Sequence, residues 1–320
     1  MKILITGIGG AIGSHVAEAL LARSDEVIGI DNLDPYYDPR IKELNITGVE
    51  RVGGKVVIAD INTHDFESIG DIDAILHFAA QPGISAGTSF DQYVKNNISA
   101  THKLLSYGLT QPNLKAFVHI STSSVYGLSA RGSEEELPRP TSPYGVTKLA
   151  AEQLSLSKYR SDKLPVTALR LFSVFGPRER PEKLYHKLIH AIETGRTFPL
   201  HEGSEKHLRS FTYIDDIVDG VVRALDRIDK TEGEIINIGT EELRTTGEGI
   251  AIIERITGQK APLTKSSPRY GDQRETHAVI GKAKELLGFI PKVTLEEGLE
   301  RQYQWHTEKL LPHLERGKQT

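Results

Sequence analysis

The first 31 residues constrain this chain more than any other stretch. Lys2 to Thr6 reads KILIT, a short apolar run with β-branched members, stopped by glycine. Such a run suits a strand buried on both faces. Gly7, Gly10 and Gly13 follow at GxxGxxG spacing, then SHVAEALLAR with apolar residues at helical intervals. A second apolar run, Glu26 to Ile30, ends on Asp31. Strand, glycine turn, helix, strand and terminal acid make the unit that seats a dinucleotide. Gly7 takes the tight turn, Gly10 admits backbone close to a pyrophosphate, and Gly13 lets the helix pack on the strand. The helix N-terminus offers the phosphates free N–H groups and the positive end of its dipole. Asp31 is followed by Asn32 and not by an arginine, so ribose hydroxyls are accepted and a 2′-phosphate is repelled. The cofactor expected is NAD, not NADP.

A chain of 320 residues suits one large α/β domain with a smaller partner. The formal net charge of −4, spread over a mixed surface, argues against a nucleic-acid or anionic-membrane partner. With no cysteine, a disulfide framework, thiolate catalysis and a cysteine metal site are excluded. No apolar run approaches membrane-span length, and the first residues enter a strand directly. The expectation is a soluble cytoplasmic protein.

Further along, Asn32 to Gly54 is polar and turn-rich and reads as a long connection, with Tyr36 and Tyr37 in a packed loop. Buried strands are expected at Lys55 to Ala59, Ala74 to Phe78, Lys115 to Ile120, Val166 to Phe172 and Ile235 to Ile238. Asp60-Ile61, after the third strand, is placed to touch adenine. Ala79-Ala80-Gln81, after the fourth, is small enough for the cofactor to lie against backbone at the carboxyl ends of the strands. Helices are expected over Ser89 to Leu109, which carries Asn96-Asn97, from Pro143 to Tyr159, near Leu184 to Glu193, and over Tyr213 to Arg227. Two helical patterns and a charged tail occupy residues 241–320. The fold expected is α/β: a Rossmann-type doubly wound parallel sheet (1–172 plus 212–240) with a smaller mixed α/β substrate domain (173–211 plus 241–320).

Tyr144 and Lys148 stand four apart, so on a helix they share a face. A phenol, with a pKa of about 10, is a poor base at neutral pH, and a nearby ammonium favours the phenolate. Thr122, closing the fifth strand, is placed to hydrogen-bond the same substrate hydroxyl. His186 and His190 also sit one helical turn apart. Without a third ligand or a HExxH glutamate they read as a solvated helix face, with no metal expected.

On these residues the chain resembles the extended short-chain dehydrogenase/reductases, and among them the nucleotide-sugar epimerases, over nearly all its length. Gly7, Gly10, Gly13, Asp31, Asp60, Thr122, Tyr144 and Lys148 match that family's cofactor and catalytic positions. The cofactor wall it implies also takes in Ile12, Asn32, Ile61 and Phe78. Beyond them it runs through Ala79, Ala80, Gln81, Asn97 and Phe172. Arg209, in RSFTYIDD, resembles the arginine placed on the substrate diphosphate, and Arg269 and Asp272, in PRYGD, the pair that meets diphosphate and uridine ribose. Lys187 is a further expected substrate contact. Ala11 departs from the family's usual aromatic, which touches packing more than chemistry.

The resemblance also narrows the reaction. Ser123-Ser124 stand where the family's 4,6-dehydratases carry Asp-Glu, and Gly145-Val146-Thr147 lacks the decarboxylases' glutamate and arginine. C4 epimerisation of a UDP-sugar remains. Ser173 and GPRERP resemble the UDP-glucuronate 4-epimerases more than the UDP-glucose enzymes, with Arg180 expected near the sugar carboxylate and Ser123 and Ser124 donating to it. Against this, their AGVR segment is Pro82-Gly83-Ile84-Ser85 here, so UDP-glucose/UDP-galactose is the alternative. A non-catalytic NAD or nucleotide-sugar binder is the reading from another class. Broad apolar faces on the two long helices match the family's four-helix homodimer seam.

Overall fold

The computed structural model of the protein describes residues 1–83, 87–267 and 274–316. Ser85, Arg269 and Asp272 lie outside the described residues. Seven parallel strands form the main sheet: β1 (Lys2–Thr6), β2 (Glu26–Asp31), β3 (Lys55–Ile58), β4 (Ala74–His77), β5 (Ala116–Thr122), β6 (Val166–Leu171) and β7 (Ile235–Ile238). Their order is β7-β6-β5-β4-β1-β2-β3. Successive side chains of each strand enter opposite cores, as period-two geometry requires. Ile3, Ile5, Leu76 and Val118 pack on one face, and Leu4, Ile75 and Phe117 on the other. That is why the strands read as unbroken apolar runs.

The order reverses beside β1, where the chain winds first toward β3 and then toward β7. Open α/β sheets form their ligand crevice at such a reversal, beyond the carboxyl ends of the strands. Helix α1 (Ala11–Ala22) starts there, directly after the glycine turn. In place of the long connection expected after β2 there is a second helix, α2 (Pro39–Arg51). Its signals were present: the Asp38 side chain caps Arg40 N, Pro39 holds the first turn, and Ile41, Ile46 and Val49 form a buried stripe. The density of turn-forming residues between Asn32 and Pro39 hid it.

A third core, around Phe175, Tyr185, Phe198, Ile253 and Leu299, lies outside the main sheet. A short mixed sheet accompanies it. Leu208–Arg209 pairs antiparallel with Arg244–Thr245 and parallel with Glu275–Thr276, and Glu275–Thr276 also pairs with Ser129–Ala130. Residues 241–316 carry four helices, Thr246–Thr257, Gly281–Leu287, Leu295–Trp305 and Leu311–Arg316, where two patterns were expected. No helix among the described residues is long and apolar enough to cross a membrane.

Candidate active site

One cavity of about 470 Å³ lies at the carboxyl ends of β1, β2, β4, β5 and β6. Its floor is the glycine turn. Gly7 has φ +71°, and a Cβ there would stand 2.8 Å from Ala79 N, so only glycine lets the turn lie against the strand beside it. A Cβ on Gly13 would stand 2.4 Å from Gly7 O, which keeps α1 close to β1. Ile12, Asn32, Asp60, Ile61, Phe78, Ala79, Ala80 and Gln81 line the same space with Gly7, Gly10, Gly13 and Asp31. This cradle of glycine, small residues and a terminal acid fits a dinucleotide.

Asp31 is nearly enclosed. Its Oδ2 accepts from Gly9 N at 3.0 Å and its Oδ1 from Leu33 N at 2.9 Å. Lys42 of α2 stands 3.6 Å from the same carboxylate and packs over the Tyr37 ring. Lys42, Tyr36 and Tyr37 all line the cavity; Lys42 was missed in the sequence because its position follows from α2, and the two tyrosines, read there as a packed loop, lead into that helix. Asp60 lines it too, with Lys95 Nζ at 3.0 Å from Oδ2.

The candidate catalytic residues come from two elements. Thr122 ends β5, and its Oγ1 accepts from Ser124 N as the chain turns. Helix α3 (Pro143–Asp162) starts with Ser142 accepting from Gly145 N and carries Tyr144 and Lys148 one turn apart, both facing the cavity. The Thr122 hydroxyl lies within hydrogen-bonding reach of the Tyr144 phenol. Burial pushes that phenol up from its ordinary value, while Thr122 and the Arg180 charge pull it down. Lys148 Nζ donates to Ile120 O at 2.5 Å, and burial, partly offset by the Glu152 charge, lowers it to about 8. Behind it, His77 and His119 are fully buried and held neutral.

Asn97 and Phe172 do not reach the cavity. Between Phe90–Tyr93 and Ala100–Thr110 the expected helix passes through a π-helical turn, Val94–Ser99. This turn leaves Asn96 on the cavity wall and buries Asn97, which accepts from Gln81 N at 2.7 Å and donates to Thr147 Oγ1 at 2.9 Å. Asn97 therefore braces Gln81 against α3 from behind the cavity wall. Phe172 is wholly buried against Tyr126, since its neighbours Leu171 and Ser173 take the cavity-facing side.

On the substrate side, Ser123, Ser124, Ser173 and Arg180 line the cavity. Ser173 holds φ +35°, a left-handed value that is costly for serine, with its hydroxyl 3.1 Å from Thr276 Oγ1. Arg180 reaches toward Gly83 and stands 3.6 Å from Glu182 Oε2. Arg209 is half-buried and donates to Leu208 O, but it is not among the residues that line the cavity. Lys187 faces solvent. One turn earlier, Lys183 lines the cavity in its stead, as does the buried Glu179. His186 and His190 are not a solvated face either. They pack with His306, ring centroids 4.9 to 6.4 Å apart, because α4 (Leu184–Thr194) turns this side onto Leu295–Trp305 and the turn after it.

Residues 3–239 match the model of the NAD dependent epimerase/dehydratase family. The chain belongs to that family. It is 38% identical over 307 residues to an uncharacterized UDP-glucose epimerase, YtcB, of Bacillus subtilis, covering 93% of this chain and 96% of that one. It is 35% identical over 332 residues to UDP-glucuronate 4-epimerase 5 of Arabidopsis thaliana, covering 96% of this chain and 75% of that one. The crystal structure of UDP-glucuronic acid 4-epimerase from Bacillus cereus, with UDP-glucuronic acid and NAD, superposes with a TM-score of 0.92. It is 39% identical, with 96% of this chain and 99% of that one covered.

Proposed function

We propose that this protein is an NAD-dependent UDP-sugar 4-epimerase whose substrate is UDP-glucuronate and whose product is UDP-galacturonate. The observation that carries the reading is the meeting of Thr122, Tyr144, Lys148 and Arg180 around one cavity that also holds the dinucleotide cradle. NAD, when bound, accepts and returns the hydride of the sugar's C4. The proton falls to this chain: Tyr144 takes it from the C4 hydroxyl, and Thr122 orients that hydroxyl and the phenol together. Lys148, fixed by Ile120 O, holds a donor beneath the same site. The sugar then turns as a 4-ketone and is reduced from its other face. Ser123-Ser124 supply no acid–base pair for eliminating water, so nothing is lost.

A glucuronate carboxylate needs a cation or several donors, since a desolvated, unpaired charge is heavily penalised. Arg180 and Ser123 are placed to meet it. The Arg180–Glu182 contact supports the second reading, UDP-glucose/UDP-galactose 4-epimerase, because it gives Arg180 a partner of its own. The same proposal places the enzyme in the cytoplasm with its NAD supply. It divides the chain into an NAD-binding unit (1–172 plus 212–240) and a sugar-nucleotide unit (173–211 plus 241–320), in line with the separate third core. It also pairs two copies along Ala100–Thr110 and α3, where Leu109 and Val146 are exposed.

The test is product analysis by NMR of the purified protein given each UDP-sugar. UDP-galacturonate from UDP-glucuronate, with no free NADH, is expected. Stoichiometric NADH with a 4-keto product would make the protein a dehydrogenase, and binding without turnover would make it a sensor.

A further inference from the structure

Tyr93 closes the short helix Phe90–Tyr93, and Asn97 lies one turn on, in the π-helical turn that follows. Both are buried, and between them they grip the strip of cavity wall after β4. Asn97 Oδ1 accepts from Gln81 N at 2.7 Å, and Tyr93 Oη donates to Gly83 O at 2.8 Å. Each also touches α3. Asn97 Nδ2 donates to Thr147 Oγ1 at 2.9 Å, and the Tyr93 ring packs against the Tyr144 ring, centroids 6.3 Å apart. The wall at 81–83 is thus clamped from behind to the helix that carries Tyr144.

At Gly83 this clamp reaches the sugar side. Gly83 holds φ +74°, a left-handed value that glycine takes without steric cost, and its carbonyl is committed to Tyr93. From the point where a Cβ on Gly83 would stand, Arg180 Nη1 lies 3.5 Å away, Nη2 3.7 Å and Tyr36 Oη 3.9 Å. The guanidinium therefore rests against the bare side of the turn. A hydrogen bond from Tyr93 fixes how that turn sits, because the ring bearing the hydroxyl is itself held by packing.

We propose that Tyr93 is a positioning residue for sugar selection: through Gly83 it sets where the Arg180 guanidinium stands relative to the Tyr144 phenol. The proposal rests on the UDP-glucuronate reading above. In that substrate only C5 separates the carbon bearing the reacting hydroxyl from the carboxylate carbon. Proton acceptor and cation must therefore keep a matching spacing for both groups to be met at once. Tyr93 touches the phenol at one end and the support of the cation at the other, and so fixes that spacing. A sugar with a hydroxymethyl group in place of the carboxylate makes no such demand on Arg180.

The experiment measures kcat/KM for UDP-glucuronate and UDP-glucose with the NAD-loaded protein, as wild type, Tyr93→Phe, Arg180→Ala, the double variant and Gly83→Ala. Tyr93→Phe keeps the ring against Tyr144 and removes the hydroxyl. The ratio of kcat/KM, acid over neutral sugar, is expected to drop about threefold to tenfold, the value of one hydrogen bond, mostly through KM for the acid. In the Arg180→Ala background the same change should move the ratio by less than about twofold, since its effect passes through the guanidinium. Gly83→Ala strains the turn from the side facing Arg180 and should lower the ratio too. NAD fluorescence quenching and melting temperature report whether each variant is folded. An unchanged ratio in folded Tyr93→Phe, or in Gly83→Ala, overturns the proposal. So does an equal loss on both sugars, which would assign Tyr93 to Tyr144 alone, and so does a full Tyr93→Phe effect without Arg180. Wild type and Arg180→Ala test the reading beneath it. If wild type prefers UDP-glucose, or Arg180→Ala loses nothing on UDP-glucuronate, that reading fails and this assignment falls with it.

Discussion

Arg170 of β6 and Glu152 of α3 form a two-pronged ion pair closed off from solvent: Nη2 to Oε1 at 2.7 Å and Nε to Oε2 at 2.9 Å. Ser121 donates to the same carboxylate at 2.6 Å, and Arg170 Nη1 donates to Tyr126 Oη at 2.8 Å. Tyr126 in turn donates to Asn237 on β7. The pair thus ties one turn below Lys148 to the residue preceding Thr122, so α3 and the end of β5 are locked to each other through the sheet.

Removing one partner of this pair leaves a buried charge unanswered. Glu152→Ala or Arg170→Ala is expected to cost about 3–5 kcal/mol of stability. The double replacement Glu152→Leu/Arg170→Met should cost less than the sum of the singles, since no charge remains buried. Urea denaturation of the three variants measures this. A loss below about 1 kcal/mol for either single variant would show that the pair is not needed for the fold.

Tyr144→Phe keeps the ring, and with it the packing against Tyr93 at 6.3 Å between centroids, while removing the proton acceptor. Turnover is expected to fall by about 10²–10⁴-fold, the span usual for losing a general base, with UDP-sugar affinity kept. Thr122→Ala should fall less, because the phenol remains. Steady-state turnover beside calorimetric binding separates the two effects. Epimerisation at the wild-type rate in Tyr144→Phe would take that residue out of the mechanism.

Cofactor choice turns on Asp31, and the structure adds a cation that the local sequence does not show. Lys42 lies 3.6 Å from Asp31 Oδ1. Asp31→Ser therefore removes the charge that repels a 2′-phosphate and leaves an ammonium ready to receive one. The NAD-over-NADP preference in fluorescence titrations is expected to narrow at least about tenfold, roughly the value of one charge-assisted contact. Asp31→Ser/Lys42→Ala should bind both cofactors weakly. Equal preference in wild type and Asp31→Ser would assign the discrimination elsewhere.

The sheet and its cofactor edge were legible because each rests on a local pattern: an apolar run for a strand, glycines where a Cβ has no room, and an acid at a strand end. Thr122, Tyr144 and Lys148 were legible because one helical turn and one strand terminus fix them. The residues that were missed obey tertiary rules instead. Lys42 depends on a helix hidden behind turn-forming residues. Lys183 and Lys187 differ by one turn, and only the packing of α4 decides which faces the cavity. Asn97 is displaced inward by a π-turn that no period reveals. The histidine pair at 186 and 190 looked solvated because its third member, His306, lies over a hundred residues away in sequence.

Stability should fall as the solution becomes acid. Burial lowers His77 to about 3, His186 to about 4 and His306 to about 3, from an ordinary value near 6.5. Below about pH 6.5 the unfolded chain therefore carries protons that the folded one refuses, and unfolding takes protons up. Each such group removes about 1.4 kcal/mol per pH unit until its folded-state value is reached. Lys148, lowered to about 8, acts with the same sign in another window: its cost is full below pH 8 and is relieved as pH rises toward 10.5. Melting temperatures taken from pH 7.5 to 5 should drop steadily, and His306→Gln should flatten the slope. A melting temperature constant over that range would rule out these histidines as neutral buried groups.

The choice of sugar is decided at Arg180. Its guanidinium lines the cavity, acts on Tyr144 and stands 3.6 Å from Glu182, so it has two possible duties: meeting a substrate carboxylate or pairing within its own loop. The pair with Glu182 is only partly buried, and ion pairs of that kind are worth little, about 0–1 kcal/mol. A carboxylate brought into the cavity beside Ser123 is a stronger claim on the guanidinium, because it would otherwise lose its hydration with no partner. Arg180→Ala should therefore lower kcat/KM for UDP-glucuronate by a factor corresponding to about 2 kcal/mol or more, while UDP-glucose changes little. Glu182→Ala separates the duties further, since freeing Arg180 from its loop partner should leave the acid substrate unharmed. The four rates, wild type and Arg180→Ala on each sugar, decide it. If wild type prefers UDP-glucose, or Arg180→Ala loses nothing on UDP-glucuronate, the carboxylate assignment fails and the glucose reading takes its place.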